Sequence, residues 1–161
     1  MIPQRLYCRL LIASLALAAL FSAAFAAGAF YLGRWRIVSA VIAPWSPERN
    51  PDSTEMRGLV GKTLTITPKA ILGPRQVACT GPRYRLKDYP ADMLFEGAFG
   101  EMHQRNPSAD PAKIAASVGF RGRSWKTLQT GCEVEIEYHF IDPNTAAFGL
   151  NDHIYTLKKQ P

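Results

Sequence analysis

The sequence predicts a mainly β protein, a small antiparallel barrel or sandwich with one short helix, behind an N-terminal signal or anchor helix. Roughly six to eight short apolar segments alternate with turns that contain glycine, proline or asparagine, the pattern of consecutive antiparallel strands. Residues 132–140 alternate apolar and polar side chains with the two-residue period of a strand that buries one face. One helical pattern interrupts the strands, too few for the crossovers of a parallel α/β sheet.

The chain begins with a segment typical of exported proteins. Two arginines precede residues 10–33, which contain no charged side chain, and Ala-Phe-Ala at residues 24–26 has the form of a signal-peptidase site. We expect a signal peptide over residues 1–26 and one β-rich domain over residues 33–161. The alternative is an uncleaved anchor, because the uncharged run is long enough to span a bilayer. The domain is then periplasmic or secreted in the first case, and held outside the cytoplasm at the inner membrane in the second.

Short strands and loops are expected through the first half of the domain. The first strand covers residues 35–43 and ends at two prolines, which cannot donate to a sheet ladder. Residues 48–57 are polar and predict a mobile loop. Residues 59–67 predict the second strand, and further short strands follow within residues 70–86.

One helix and a C-terminal hairpin complete the predicted domain. Asp110 is a suitable N-cap, Pro111 fits the first helical position, and Gly119 ends the helix predicted over residues 112–118. Near the C-terminus, an Asn-Asp dipeptide beginning at Asn151 separates two apolar runs. This pattern predicts a tight hairpin between the last two strands.

The composition is mildly basic. Removing the two arginines of the signal peptide from the net charge of +6 leaves +4 on the exported part. Such an excess can attract anionic lipid, glycan or nucleic acid, but export argues against nucleic acid. We therefore predict no nucleic-acid partner and no cofactor, with membrane association only if the N-terminal segment stays uncleaved.

Two cysteines remain in the exported part, Cys79 and Cys132. An even number of cysteines in an oxidising compartment favours a disulfide between them. Because the bond closes a long loop, the chain-entropy model gives a stabilisation of about 4 kcal/mol. Two free buried thiols or a metal-binding pair are the alternatives, although no histidine lies nearby in sequence to complete a zinc site.

The start of the first strand resembles that of a known family. Gly33-Arg34-Trp35 is similar to the G-x-W start of lipocalins and of smaller lipocalin-like barrels, which include exported inhibitors of secreted metalloproteases. The resemblance implies a barrel whose tryptophan plugs one end and whose interior is packed or holds a small apolar ligand. The residues expected to line such a cavity are Trp35, Ile66, Val134, Ile136 and Tyr138.

The polar face of the strand at 132–140 is a candidate for chemistry, since it carries Glu133, Glu135, Glu137 and His139. Carboxylates beside a histidine could bind a divalent cation, or pair an acid of raised pKa with a base. We expect instead a solvated outer face, because charged residues normally occupy the wet side of a strand. No nucleophile–base spacing is present, and we predict that the protein is not an enzyme. Convergence of the last three of these residues on a pocket would favour an enzyme.

Arginines in two clusters predict a basic patch. If Cys79 and Cys132 are bonded, the flanking segments could face the same side of the domain and contact an acidic partner. The sequence thus favours a non-enzymatic exported binding protein of the bacterial envelope, whose ligand is a small apolar molecule or a protein. The alternative is an envelope inhibitor, like those of proteases or lysozyme, that uses loop 44–58 and the patch. The patch candidates are Arg83, Arg85, Arg121 and Arg123.

Overall fold

The computed structural model describes residues 30–161. The segment expected to be a signal peptide or an anchor lies outside the described residues. Residues Leu32–Pro161 form one compact unit. No helix within residues 30–161 is long and apolar enough to cross a membrane.

Within residues 30–161, nine antiparallel strands form a single curled, half-barrel sheet, which confirms the mainly β prediction. Their order across the sheet is β4-β3-β2-β1-β9-β8-β7-β6-β5. The strands are β1 (Gly33–Ile42), β2 (Thr63–Ile66), β3 (Ala70–Leu72), β4 (Cys79–Thr80), β5 (Arg85–Tyr89), β6 (Trp125–Gln129), β7 (Tyr138–Asp142), β8 (Thr145–Leu150) and β9 (His153–Lys159).

The curl brings the two edges of the sheet close together. The edge strands β4 and β5 are consecutive in the chain and are joined only by residues 81–84. Within this connection, the Arg83 N–H donates to the carbonyl of Thr130 at 2.7 Å. Cys79 in β4 forms the expected disulfide with Cys132, which follows β6. The disulfide therefore fastens the edge strand β4 to the segment that follows β6, the neighbour of the other edge strand.

One face of the sheet is packed with aromatic side chains. The rings of Trp35 and Phe140 lie 5.7 Å apart, and those of Phe148 and Tyr155 stack at 5.0 Å. Tyr138 joins them, with its ring 5.6 Å from that of Phe148. Trp35, Phe148, Tyr155 and Tyr138 have no exposed surface, so this face is a filled core.

The opposite face of β7–β9 is covered by helices. The helices on this face are α2 (Ala98–Arg105) and α3 (Pro111–Ser117), with a 3-10 turn at Ala91–Met93 before α2, whereas α1 (Thr54–Leu59) carries Glu55, which accepts from the hydroxyl of Tyr155 in the aromatic core. A second apolar cluster joins Phe95, Phe99 and Phe120 to Ala147 and Ile154 of β8 and β9. Since neighbouring strand residues point to opposite faces, Ala147 and Phe148 belong to different layers, and the central strands are buried on both sides.

The structure confirms the predicted helix and hairpin, but the expectation of one short helix is wrong, because residues 54–59 and 98–105 are helical as well. The Asp110 carboxylate accepts hydrogen bonds from the N–H groups of Ala112 and Lys113, as an N-cap does. Strands β8 and β9 pair at Leu150 and His153, so two residues form the turn, and Asn151 has a φ of 49°. That left-handed conformation is one that asparagine tolerates.

The expectation of a mobile loop at 48–57 is wrong for its second half. Residues 54–59 form α1, and the Glu55 carboxylate accepts hydrogen bonds from Asn151 Nδ2 at 2.8 Å and from the Tyr155 hydroxyl at 3.1 Å. Trp45 Nε1 donates to the carbonyl of Asn151 at 2.9 Å. Hydrogen bonds thus hold loop 44–58 against the β8–β9 hairpin. These partners are distant in sequence, so the polar pattern of residues 48–57 did not predict them.

Candidate functional site

The polar face predicted for residues 132–140 is not solvated along its whole length. Strand β7 begins only at Tyr138, and residues 131–137 are irregular. Val134 is 59% exposed, whereas Glu137 is 6% exposed and His139 is fully buried. The expectation that Val134 lines an interior cavity, and that Glu137 and His139 lie on a solvated outer face, is therefore wrong. A helical layer, formed by α2, α3 and the segment at 95–99, covers this face of β7. The face would be exposed to solvent if only the opposite face of the sheet were packed.

His139 is held as a neutral ring with both nitrogens occupied. The Phe95 N–H donates to His139 Nε2 at 3.0 Å, so this nitrogen carries no proton. The proton therefore sits on Nδ1, which lies 2.8 Å from the hydroxyl oxygen of Thr127 and donates to it. Burial lowers the pKa of His139 to about 3, consistent with a neutral ring. This histidine positions the backbone at Phe95 and has no free nitrogen with which to act as a base.

The turn that His139 holds has an unusual backbone. Phe95, Glu96 and Gly97 have successive φ values of 53°, 58° and 83°, all in the left-handed region. That region is favourable for glycine but costs free energy for phenylalanine and glutamate. Such strain persists only where surrounding contacts hold it. Here the bond from Phe95 N–H to His139 contributes, and the turn presents Phe95 and Glu96 side by side.

Glu137 has one satisfied and one unsatisfied carboxylate oxygen. Its Oε1 accepts hydrogen bonds from the Tyr89 hydroxyl and from Gln129 Nε2, both at 3.0 Å. Its Oε2 is buried and has no hydrogen-bond partner. His139 Nε2 lies 4.0 Å from this oxygen, but it is itself an acceptor from Phe95 and has no proton to donate. A buried carboxylate oxygen without a donor is costly, and it is satisfied at once by a cation.

Glu137 lines a half-open cleft of about 320 Å³, which we call the acidic cleft. The rings of Trp45 and Phe95 form an aromatic wall, with centroids 5.4 Å apart. A Cβ at Gly149 would come within 3.2 Å of the Trp45 ring, so glycine allows this ring to lie close against the sheet. The carboxylates that line the cleft are Glu96, Glu101, Glu135 and Glu137.

The carboxylates of the acidic cleft influence one another. The pKa of Glu96 is raised, first by burial and then by the negative charges of Glu137 and Glu135. Glu137 and Glu135 also contribute, after burial and the hydrogen bond to Glu137, to a pKa of about 12 for Tyr89. Negative charges beside a partly desolvated carboxyl raise its pKa, and a bound cation relieves the repulsion.

Two further clefts adjoin the acidic cleft. One, of about 400 Å³, shares Glu96, Glu135 and Glu137 with it and adds Gln129. The other, of about 310 Å³, shares Gln129 and Glu135 with that neighbour. We call it the basic cleft, since it is lined by Arg83 and Arg85. The three clefts share lining residues, and we call them together the groove, which is acidic at one end and basic at the other.

The structure separates the residues that the sequence grouped as a cavity. Val134 and Ile136 line the acidic cleft, outside the aromatic core. Trp35, Ile66 and Tyr138 are buried, and Trp35 and Tyr138 belong to the filled core. The aromatic wall and Glu96 were not predicted to share a site with Glu137, because they meet only through the helical layer.

The four arginines proposed as one patch lie in two places. Arg85 pairs with Gln129 at one end of the β5–β6 ladder, whereas Trp125, two residues after Arg123, pairs with Tyr89 at the other end. At about 3.4 Å per residue, these ends are about 14 Å apart. Arg83 and Arg85 therefore line the basic cleft, and the remaining pair, Arg121 and Arg123, is exposed beyond the far end of the ladder.

The geometry does not favour the two chemical hypotheses for the polar face. Glu135, Glu137 and His139 do converge on the acidic cleft, but the occupied histidine cannot exchange a proton with a substrate. Among residues 30–161, no three histidine, cysteine or acidic side chains are placed to hold a metal ion.

Comparisons with protein-family models, with curated proteins and with solved structures find no match to this chain. The resemblance to lipocalin-like barrels stays a prediction.

Proposed function

We propose that the protein is a non-enzymatic, exported binding protein of the bacterial envelope, and that its ligand carries a positive charge on an apolar body. The observation that carries this proposal is Glu137 Oε2, a buried carboxylate oxygen with no donor, on a residue that lines the acidic cleft. An ammonium or guanidinium group supplies both the missing hydrogen bond and the compensating charge.

The rest of the acidic cleft suits the same ligand. Its volume of about 320 Å³ is at the lower end of the range of small-molecule sites. The rings of Trp45 and Phe95 offer apolar contact to the body of the ligand and cation–π attraction to its charge. Glu96 and Glu101 add negative potential at the opening.

The fold supports a lipocalin-like assignment with a filled interior. The half-barrel sheet, the tryptophan at the start of β1 and the disulfide between Cys79 and Cys132 are features expected of the smaller lipocalin-like proteins. In this proposal the ligand occupies the groove beside the helical layer, and the aromatic core is structural. The disulfide also supports an oxidising, exported location, with residues 1–26 as the signal peptide.

A second candidate is an envelope inhibitor or interaction protein. Met93 and Val134 are 45% and 59% exposed and lie beside the carboxylates of the groove. Exposed apolar side chains around a charged pocket are typical of protein-binding surfaces. In this alternative, a partner protein inserts a lysine or arginine side chain into the acidic cleft.

The proposal is tested by calorimetric titration with phenethylamine and with its neutral counterpart, 2-phenylethanol. We expect the protein to bind the amine and not the alcohol. Glu137→Gln keeps an oxygen for Tyr89 and Gln129 but removes the charge, so amine affinity falls at least about tenfold, as when a buried charge pair is broken. The matched control is Glu133→Gln, because Glu133 is exposed in the same segment and lines none of the three clefts. Equal binding of amine and alcohol, or equal losses in both variants, would refute the proposal.

A further inference from the structure

The register of the sheet places Arg85 next to the group that holds Glu137. Arg85 of β5 pairs directly with Gln129 of β6, and paired residues project to the same face of a sheet. From that position Gln129 Nε2 donates to Glu137 Oε1 at 3.0 Å and to the Tyr89 hydroxyl at 3.0 Å. Gln129 is therefore the link between the basic and acidic ends of the groove, and it lines the basic cleft itself.

The arginines of the basic cleft are available to a ligand. Within residues 30–161, neither Arg83 nor Arg85 takes part in an ion pair; the pairs present involve Glu101, Asp88 and Glu137. Glu135 lies on the boundary, lining both ends of the groove, and is exposed. Its negative charge therefore lies between the acidic cleft and the basic cleft.

We infer that the ligand is dipolar, with a cationic group in the acidic cleft and a carboxylate at Arg83 and Arg85. The inference rests on the proposed function and adds a second subsite to it. Guanidinium groups bind carboxylates through paired, charge-assisted hydrogen bonds, which supplies the recognition at the basic end.

The spacing of the two ends defines the class of ligand. Arg85 is one cross-strand step of about 5 Å from Gln129, whose amide donates to Glu137, so one short ligand reaches both subsites. An extended chain of three residues spans about 10 Å. The ligand class is thus a short peptide with a basic N-terminal residue and a free C-terminal carboxylate.

Two tripeptides test the second subsite, Lys-Ala-Ala with a free carboxylate and the same peptide as its C-terminal amide. By calorimetric titration we expect the free acid to bind about fivefold or more tightly than the amide, the gain of one charge-assisted contact at a partly exposed site. Arg85→Gln removes this preference, because it lowers the affinity for the free acid and does not lower that for the amide. Arg123→Gln is the matched control and keeps the preference, because Arg123 lies beyond the opposite end of the β5–β6 ladder.

The outcomes separate this inference from the proposed function. Equal affinity for acid and amide, or a preference that survives Arg85→Gln, would overturn the dipolar ligand while the amine titration still stands for the acidic cleft. Failure of both peptides to bind would overturn the peptide as ligand class. If the wild-type protein does not bind phenethylamine, the proposed function itself is overturned.

Discussion

Replacing Cys79 and Cys132 by serine lowers the free energy of unfolding by about 4 kcal/mol under oxidising conditions, as a chain-entropy estimate for this disulfide predicts. The cysteines are 53 residues apart in sequence, so the bond removes many conformations from the unfolded chain. It also fastens β4 to the segment that carries Glu135 and Glu137. We expect urea unfolding, followed by tryptophan fluorescence, to show a lower midpoint for the variant.

The control for this effect is the redox state of the buffer. In reductant, wild-type protein and the Cys79→Ser, Cys132→Ser variant have the same free energy of unfolding, since neither contains the bond. If the variant has the same free energy of unfolding as the oxidised wild type, the disulfide does not contribute to stability.

Acidification from pH 7 to pH 4 destabilises the fold by about 3 kcal/mol through His139 alone. Its pKa is lowered by burial from 6.5 to about 3, so in this window the unfolded chain binds a proton that the folded chain does not. The free energy of unfolding therefore decreases as the pH decreases, by up to about 1.4 kcal/mol per pH unit. Glu96 acts in the opposite direction, because its raised pKa lets the folded protein take up a proton first.

His139→Gln isolates this contribution. Glutamine can accept from the Phe95 N–H and donate to Thr127, but it does not titrate. We expect the variant to be less stable at pH 7 because it repacks a fully buried site, yet to lose about one proton's worth of pH dependence between pH 7 and pH 4. Urea titrations across this range measure the slope, and an unchanged slope would show that His139 is not the buried neutral group described above.

Local signals predicted the parts of the fold that depend on neighbouring residues. The Asp110 cap with Pro111 forms within one turn of helix, and the hairpin at Asn151 is determined by its own backbone conformation. The pairing of Cys79 with Cys132 was predictable for a different reason, because an exported chain with two cysteines offers one intramolecular combination.

The site could not be predicted because it depends on the second layer. A strand with glutamates and a histidine on alternate positions is normally wet on that side. Here the segment at 95–99 and the helices α2 and α3 pack on that side, which buries His139 and brings Phe95 and Glu96 beside Glu137. The left-handed turn that allows this contact has no sequence signature at Phe95 or Glu96, since neither residue favours positive φ.

The cation-binding role of Glu137 is tested most directly by thermal melting of the wild-type protein and of Glu137→Gln, each with and without phenethylamine. Because Glu137 Oε2 is a buried charge without a donor, we predict that Glu137→Gln melts at the higher temperature in ligand-free buffer. Phenethylamine then raises the melting temperature of the wild type by more than that of the variant, whose affinity for the amine is at least about tenfold lower. A variant that melts below the wild type without ligand, and that gains as much from the amine, would contradict the claim that Glu137 is the cation-binding group.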